Sequence, residues 1–387
     1  MDTLGYRHAL LCLAFLALAA GCAAGRAQPR VYRVGAVLSI TGDASFIGTP
    51  ERDTILALEQ QINRSGGIQG ATLDFVIADS RSDPEEALRQ VQQMARDPEI
   101  LAILGPSTSG ESLAVLEEVE SQKVPCLTLA ASNRLVRPVR PWVFKLAQSD
   151  THAVRRIYEH VSRRDFHRVA VLHADDPFGR SGKDELLREA SQFRLVVAEV
   201  VSFPPGPLSP EQAARLVRRA GSAGPDALVI WGTSPGPAVL TRASRELFPD
   251  LPVIHGHGIG SREFVVAAGR ASEGVLFPAS PLLACDELSS QHPQKQAVLA
   301  YRRFYRESTG GDVTTFGGHA WDAVHIARQA LEAVGPDRAK LRAYLENLQN
   351  FVGTSGVFSF SPEDHNGLTQ DAFVLLEIEK GRWRALP

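Results

Sequence analysis

The chain has 387 residues, 44% of them apolar, and a formal net charge of −3. No basic excess marks it as a nucleic-acid binder, and its length fits two domains better than one. The four cysteines lack CxxC spacing, so neither a zinc site nor a redox pair is suggested.

The chain opens on "ALLCLAFLALAA", preceded by Arg7 and His8 and followed by small residues, the pattern of an export signal. That run is too short to span a bilayer as a permanent helix. It ends in "LAAGC", which resembles the lipobox of bacterial lipoproteins and implies Cys22 as the acylated first residue of the mature chain. Residues 1–21 are then a signal peptide and residues 22–30 an anchor linker; an ordinary signal cleaved nearby is the competing reading. Two cysteines remain beyond it, Cys126 and Cys285, and their pairing in an oxidising compartment stays open.

From Val31 onward, short runs rich in Val, Ile and Leu alternate with longer amphipathic stretches. "VYRVGAVL", "TLDFVIAD", "ILAIL" and "VPCLTL" read as buried parallel strands. Between them "ERDTILALEQQINRS", "PEEALRQVQQMARD" and "ESLAVLEEVESQ" carry apolar residues at helical spacing. The order restarts after "WVFKLAQSD": "RVAVLHA", "LVVAEVVSF", "DALVIWG" and "PVIHG" are strands separated by amphipathic helices. Such βαβα order predicts an α/β protein with two doubly wound parallel sheets. "EGVLFP" opens a helical third portion, and "GVFSF" with "DAFVLLEIEKGRWRAL" returns to strands.

"VGAVLSITGDASFIGTPERDTILALEQQIN", "GGIQGATLDFVIADSRSDPEEA", "ILAILGPSTSG", "VAVLHADDPFGRSG" and "FGGHAWDAVHIARQAL" occur in that order. Together they closely resemble bacterial substrate-binding proteins of the branched-chain amino-acid type, over about Val31 to Leu376. The resemblance implies a type I periplasmic binding fold, in which two lobes joined by three crossovers close on a small ligand. Crossovers are expected near Leu146–Asp150, Ser272–Phe277 and Phe351–Gly356. Lobe 1 would hold residues 31–148 with 276–352, and lobe 2 residues 149–275 with 353–387.

Open α/β sheets bind ligands beyond the carboxyl ends of their strands. "GPSTSGES" lies where a strand turns into a helix, and unsatisfied N–H groups at a helix start favour a carboxylate. The resemblance assigns that role to Ser109, with Ser107 and Gly110 beside it. The ordinary reading of Ser109 is an N-cap worth about 0.5–2 kcal/mol. By the same resemblance Ala130 offers a carbonyl and Ser132 a hydroxyl and N–H. Phe178 stands where the family commonly has tyrosine. Phe46 and Trp231 are further aromatic candidates, and Ser234 follows in the loop. Amino-acid binders of this family usually place a carboxylate after the "PVIHG" strand to pair with the ligand ammonium. Here that position is His257, and neutral imidazole cannot serve as that charge partner. Three explanations compete: the ligand lacks an amine, Asp175, Asp176 or Asp43 supplies the charge, or the register is shifted.

His255 and His257 would share a face of an extended strand, but no Cys or His cluster completes a metal set. The segment lacks a P-loop ending, and no triad spacing points to catalysis. The expectation is a cofactor-free, monomeric solute receptor of an ABC importer, anchored by lipid at Cys22 in the cell envelope and docking on a permease and ATPase complex. A ligand sensor without its own transporter is the alternative, and an envelope hydrolase a third reading.

Overall fold

The computed structural model describes residues 30–386, so Cys22 and the signal run lie outside the described residues. The first half forms β1 (Val31–Leu38), α1 (Ser45–Arg64), β2 (Thr72–Asp79), α2 (Pro84–Arg96), β3 (Ile100–Leu104), α3 (Ser109–Ser121), β4 (Cys126–Thr128) and β5 (Val143–Lys145). Its five strands run parallel in the order β2-β1-β3-β4-β5. All five residues of "ILAIL" in β3 are buried, as a strand with helices on both faces requires. α2 begins where Asp83 accepts hydrogen bonds from the Glu85 and Glu86 N–H groups, with Pro84 at the first helical position.

The second lobe repeats the plan: α4 (Asp150–Arg163), β6 (Arg168–Ala174), α5 (Pro177–Glu189), β7 (Val196–Phe203), α6 (Pro210–Gly221), β8 (Ala227–Trp231), α7 (Gly236–Leu247), β9 (Val253–His255), α8 (Arg262–Ala268) and β10 (Leu276–Ala279). Three helices follow, α9 (Lys295–Thr309), α10 (Thr315–Val334) and α11 (Arg338–Glu346). The small hairpin β11 (Phe351–Val352) and β12 (Val357–Phe358) precedes β13 (Val374–Glu379) and β14 (Arg382–Ala385). The second sheet has the order β14-β13-β10-β9-β8-β6-β7, antiparallel only where β13 joins β10 and β14 joins β13.

Two expected lobe boundaries are corrected. Leu276 pairs with Ile254, and all of β10 pairs with β13, so the second crossing lies after Ala279 and not near Ser272–Phe277. Residues 276–279 therefore leave lobe 1, because the second sheet needs an apolar strand to receive the C-terminal hairpin. Phe358, Phe360, Leu368 and Ala372 pack in the first lobe's core, and the Lys145 N–H donates to the His365 carbonyl. The third crossing thus lies near Phe373, which packs into the second lobe, well beyond Phe351–Gly356. α10 lies along α1, with Ala320, Ala323, Val324 and Ala327 in the first lobe's core. In that way the late helices complete the first lobe.

Candidate functional site

The strands of both sheets point their carboxyl ends at a cavity of about 380 Å³ between the lobes. Seven of the nine ligand-binding candidates line it: Ser107, Ser109, Gly110, Ala130, Phe178, Ser234 and His257. Phe46 and Ser132 do not.

The first-lobe end is polar. α3 is capped by Thr108 and not by Ser109: the Thr108 hydroxyl accepts from the Glu111 N–H, and the Glu111 carboxylate accepts from the Thr108 N–H at 3.0 Å. This capping box removes the ordinary reading of Ser109, which sits at the first helical position. The Ser109 hydroxyl accepts from the Ser132 N–H at 3.2 Å. Ser132 is wholly buried behind it, capping a short turn by accepting from the Arg134 N–H. Ser132 therefore supports Ser109 from outside the cavity. Phe46 misses the cavity because it falls in the first turn of α1, where Ile47 faces inward instead. Phe46 packs edge-on against Phe316, ring centroids 5.8 Å apart, and Phe316 supplies the first lobe's aromatic wall.

The second-lobe wall is aromatic and uncharged at its centre. The His257 ring meets Phe178, Trp231 and Phe373 with centroids at 5.2, 5.5 and 5.3 Å. Trp231 lies fully buried beneath this layer, against Gly182, whose hydrogen in place of a Cβ is what lets the indole in: a Cβ would sit 2.1 Å from the ring. Burial pushes His257 down to about 3, with Lys145 and His319 acting in the same direction. The imidazole is therefore neutral. Among the described residues neither ring nitrogen has a hydrogen-bond partner, nor does the Ser234 hydroxyl.

Behind His257 lie two buried ionisable groups, Lys145 and Asp150. Lys145 donates to the carbonyls of Ala131, Ala147 and Gln148 at 3.1, 2.9 and 3.0 Å. Burial lowers its pKa against the pull of Asp150. Burial likewise raises Asp150, against Lys145 and a hydrogen bond from Ser181. Asp150 Oδ1 is 3.7 Å from His257 Nε2.

Of the three alternative carboxylates, Asp43 and Asp176 line the cavity and Asp175 does not. Asp175 is exposed and pairs with Arg180 at 2.9 Å. Asp176 caps α5 by accepting from the Gly179 N–H at 2.7 Å, and burial raises its pKa. His255 and His257 part company because the chain leaves the strand between them. His255 ends β9 and meets Thr241 Oγ1 at 2.9 Å and the Phe264 ring, while His257 begins a 3-10 turn into the cleft. The shared strand face needed for a metal pair does not exist.

Sequence reading missed the cavity residues from the crossings and from α10: Gln148, Ser280, Thr315, Phe316, His319 and Phe373. Gln148 joins the hinge to the site, donating to the Ser355 carbonyl at 3.0 Å while its carbonyl oxygen lies 3.2 Å from His319 Nε2. The available signal was "TFGGHAW", where Thr315, Phe316 and His319 fall on one helical face.

Residues 31–382 match the family model described as periplasmic binding protein. The leucine-, isoleucine-, valine-, threonine- and alanine-binding protein of Pseudomonas aeruginosa is 22% identical over 348 residues, 89% of each chain. A Leu/Ile/Val-binding protein homolog of Brucella abortus is 22% identical over 374 residues, 95% of each. An extracellular ligand-binding receptor from Rhodopseudomonas palustris HaA2 superposes with a TM-score of 0.84 at 22% identity, covering 93% of this chain and all of that one. The branched-chain amino acid transporter substrate-binding protein LivJ of Streptococcus pneumoniae, in complex with isoleucine, gives 0.80 at 22% identity, covering 92% and 98%. The chain belongs to the periplasmic binding protein family and is a non-enzymatic, extracytoplasmic solute receptor.

Proposed function

We propose that this protein is the receptor of an ABC importer, closing its two lobes on a small carboxylate whose body is apolar and which carries no ammonium at the His257 wall. The observation that carries this reading is the polarity of the cavity. Its first-lobe end has the α3 N-terminus with Ser107, Ser109 and Gly110; its far wall is a neutral histidine between Phe178 and Phe373, with Trp231 beneath. A helix N-terminus favours an anion. An ammonium beside a neutral ring gains no charge partner at that wall, since Asp150 lies behind the ring and does not line the cavity. Ligand bridging both lobes would favour the closed arrangement, and that form would dock on the permease and its ATPase. In the same reading the chain acts as a monomer held to a membrane by lipid at Cys22.

The test is thermal shift of the soluble form against pairs such as leucine with 4-methylpentanoate and phenylalanine with 3-phenylpropanoate. A ligand at about a hundred times its dissociation constant adds about 2.7 kcal/mol. Shifts with the acids alone support the reading. Shifts with the amino acids alone move the charge partner to Asp43 or Asp176 and make this an ordinary amino-acid receptor.

A further inference from the structure

Beneath the first-lobe end of the cavity sits a carboxyl that does not line it. Glu51, on α1, is wholly buried. Its Oε2 shares a hydrogen bond with the hydroxyl of the cavity-lining Ser107, and among the described residues its Oε1 has no partner. The same Ser107 oxygen already accepts the Ser39 N–H at 3.0 Å. The charged group acting on Glu51 is Glu111 of α3. Glu111 takes the surrounding donors for itself: the Ser39 hydroxyl at 2.9 and 2.7 Å, the Thr108 hydroxyl at 2.7 Å, the Thr108 N–H at 3.0 Å and the Ser80 hydroxyl. α9 adds no charge on this side, since Tyr301 meets α1 one turn on, at the Thr54 hydroxyl. α10 contributes the apolar edge of Phe316 against Phe46.

This geometry has two proton arrangements, and they present opposite faces to an anion. If Glu51 is ionised, Ser107 must spend its only hydrogen on Glu51, and the cavity meets an oxygen lone pair with a negative charge behind it. If Glu51 carries a proton, Glu51 donates to Ser107. The Ser107 oxygen then accepts twice, and its own hydrogen is free to donate into the cavity. A carboxyl with one partner, an orphaned second oxygen and a carboxylate neighbour is costly to ionise in a buried site. Burial and Glu111 do raise its pKa well above the ordinary glutamate value, against the opposing hydrogen bond from Ser107.

We propose that Glu51 is a positioning residue for the ligand carboxylate: it stays protonated, donates to Ser107, and thereby turns the Ser107 hydroxyl into a donor facing the cavity. The inference rests on the carboxylate reading above. It adds a proton that travels with the ligand, so anion binding weakens as Glu51 ionises, by up to tenfold per pH unit above its folded pKa.

Two readouts test it. The first needs no ligand: the melting temperatures of wild-type protein and Glu51→Gln are compared from pH 6 to 9.5. The raised folded pKa means that wild-type stability falls as pH rises from the ordinary glutamate range toward the folded value. Glu51→Gln, whose amide cannot ionise, should therefore gain on wild type as pH rises, and a gap that does not change with pH overturns the proposal. The second uses leucine and 4-methylpentanoate as calorimetric probes. Glu51→Ala should weaken whichever probe binds, and Glu51→Gln, still a donor to Ser107, should restore it. In a Ser107→Ala background, Glu51→Ala should cost no further affinity. Equal losses in Glu51→Ala and Glu51→Gln, or a full loss persisting without Ser107, overturn the proposal alone. If neither probe binds wild-type protein at any pH, the carboxylate reading fails and takes the proposal with it, whatever the melting curves show.

Discussion

The neutrality of His257 can be measured directly by replacing it with glutamine. Burial holds the imidazole near a pKa of about 3 against an ordinary 6.5. Below pH 6.5 the unfolded chain therefore takes up a proton that the folded chain refuses. Because the folded value is the depressed one, this contribution to stability is complete above pH 6.5 and is lost as pH falls toward 3. Between pH 7.5 and 5.5 the loss for one such group is RT ln 11 less RT ln 1.1, about 1.4 kcal/mol, or tenfold in the ratio of folded to unfolded protein. His257→Gln removes that slope. Equilibrium urea unfolding of both proteins at the two pH values should show the stability difference moving in favour of the variant by about 1.4 kcal/mol. Other groups shifted by burial, Asp322 and His319 among them, are shared by the two proteins and cancel in the difference. Parallel curves would refute the reasoning: His257 would then protonate as freely in the fold as outside it, and the cavity wall would carry positive charge.

Ser109→Ala should weaken binding of 4-methylpentanoate by roughly 1–3 kcal/mol, the loss of one charge-assisted hydrogen bond; calorimetry showing unchanged affinity would remove Ser109 from the site. Asn133 of the first lobe lies outside the cavity but donates from Nδ2 to Thr151 Oγ1 at 2.9 Å and accepts from the Ser149 hydroxyl at 3.1 Å. Asn133→Ala should therefore weaken every ligand by about 1–2 kcal/mol through the closed-state population and enlarge the unliganded protein in small-angle scattering. Unchanged affinity and radius would show that closure does not draw on it. Cys22→Ala should shift the protein from the membrane to the soluble fraction, and continued retention in membranes would exclude lipidation.

The strands were legible because burial on both faces leaves no polar alternation: "ILAIL" and "ALVIW" each have all five residues buried. The loops after those strands were legible too, since βα order places them on one edge. What a linear reading could not supply was side-chain direction over a single residue. Ile47 faces the cavity where Phe46 was expected, because one step along a helix turns a side chain by about 100°. Nor could it place α10, which brings Thr315, Phe316 and His319 into the site from late in the chain. The second crossing failed for a different reason. Leu276–Ala279 is a four-residue apolar run with the same composition whether it closes one sheet or opens the next, and only its pairing with β9 and β13 decides.

The choice between an amino acid and its deaminated counterpart comes down to which carboxylates are free. Asp150 is hydrogen-bonded at Oδ2 and open at Oδ1, but it does not line the cavity and Oδ1 lies 3.7 Å from His257 Nε2, so a ligand ammonium would have to displace the imidazole to reach it. Asp176 lines the cavity, yet it already terminates α5, and diverting it would leave the Gly179 N–H open and cost about 1 kcal/mol of cap. Asp43 is exposed, where water screens any pairing. Each route to an ammonium therefore gives up a bond already made or works through solvent. A ligand without one leaves the carbonyl bonds of Lys145 and the Ser181 bond of Asp150 in place, the α5 cap intact, and the His257 wall neutral, so the amine-lacking acid is the cargo that disturbs this site least.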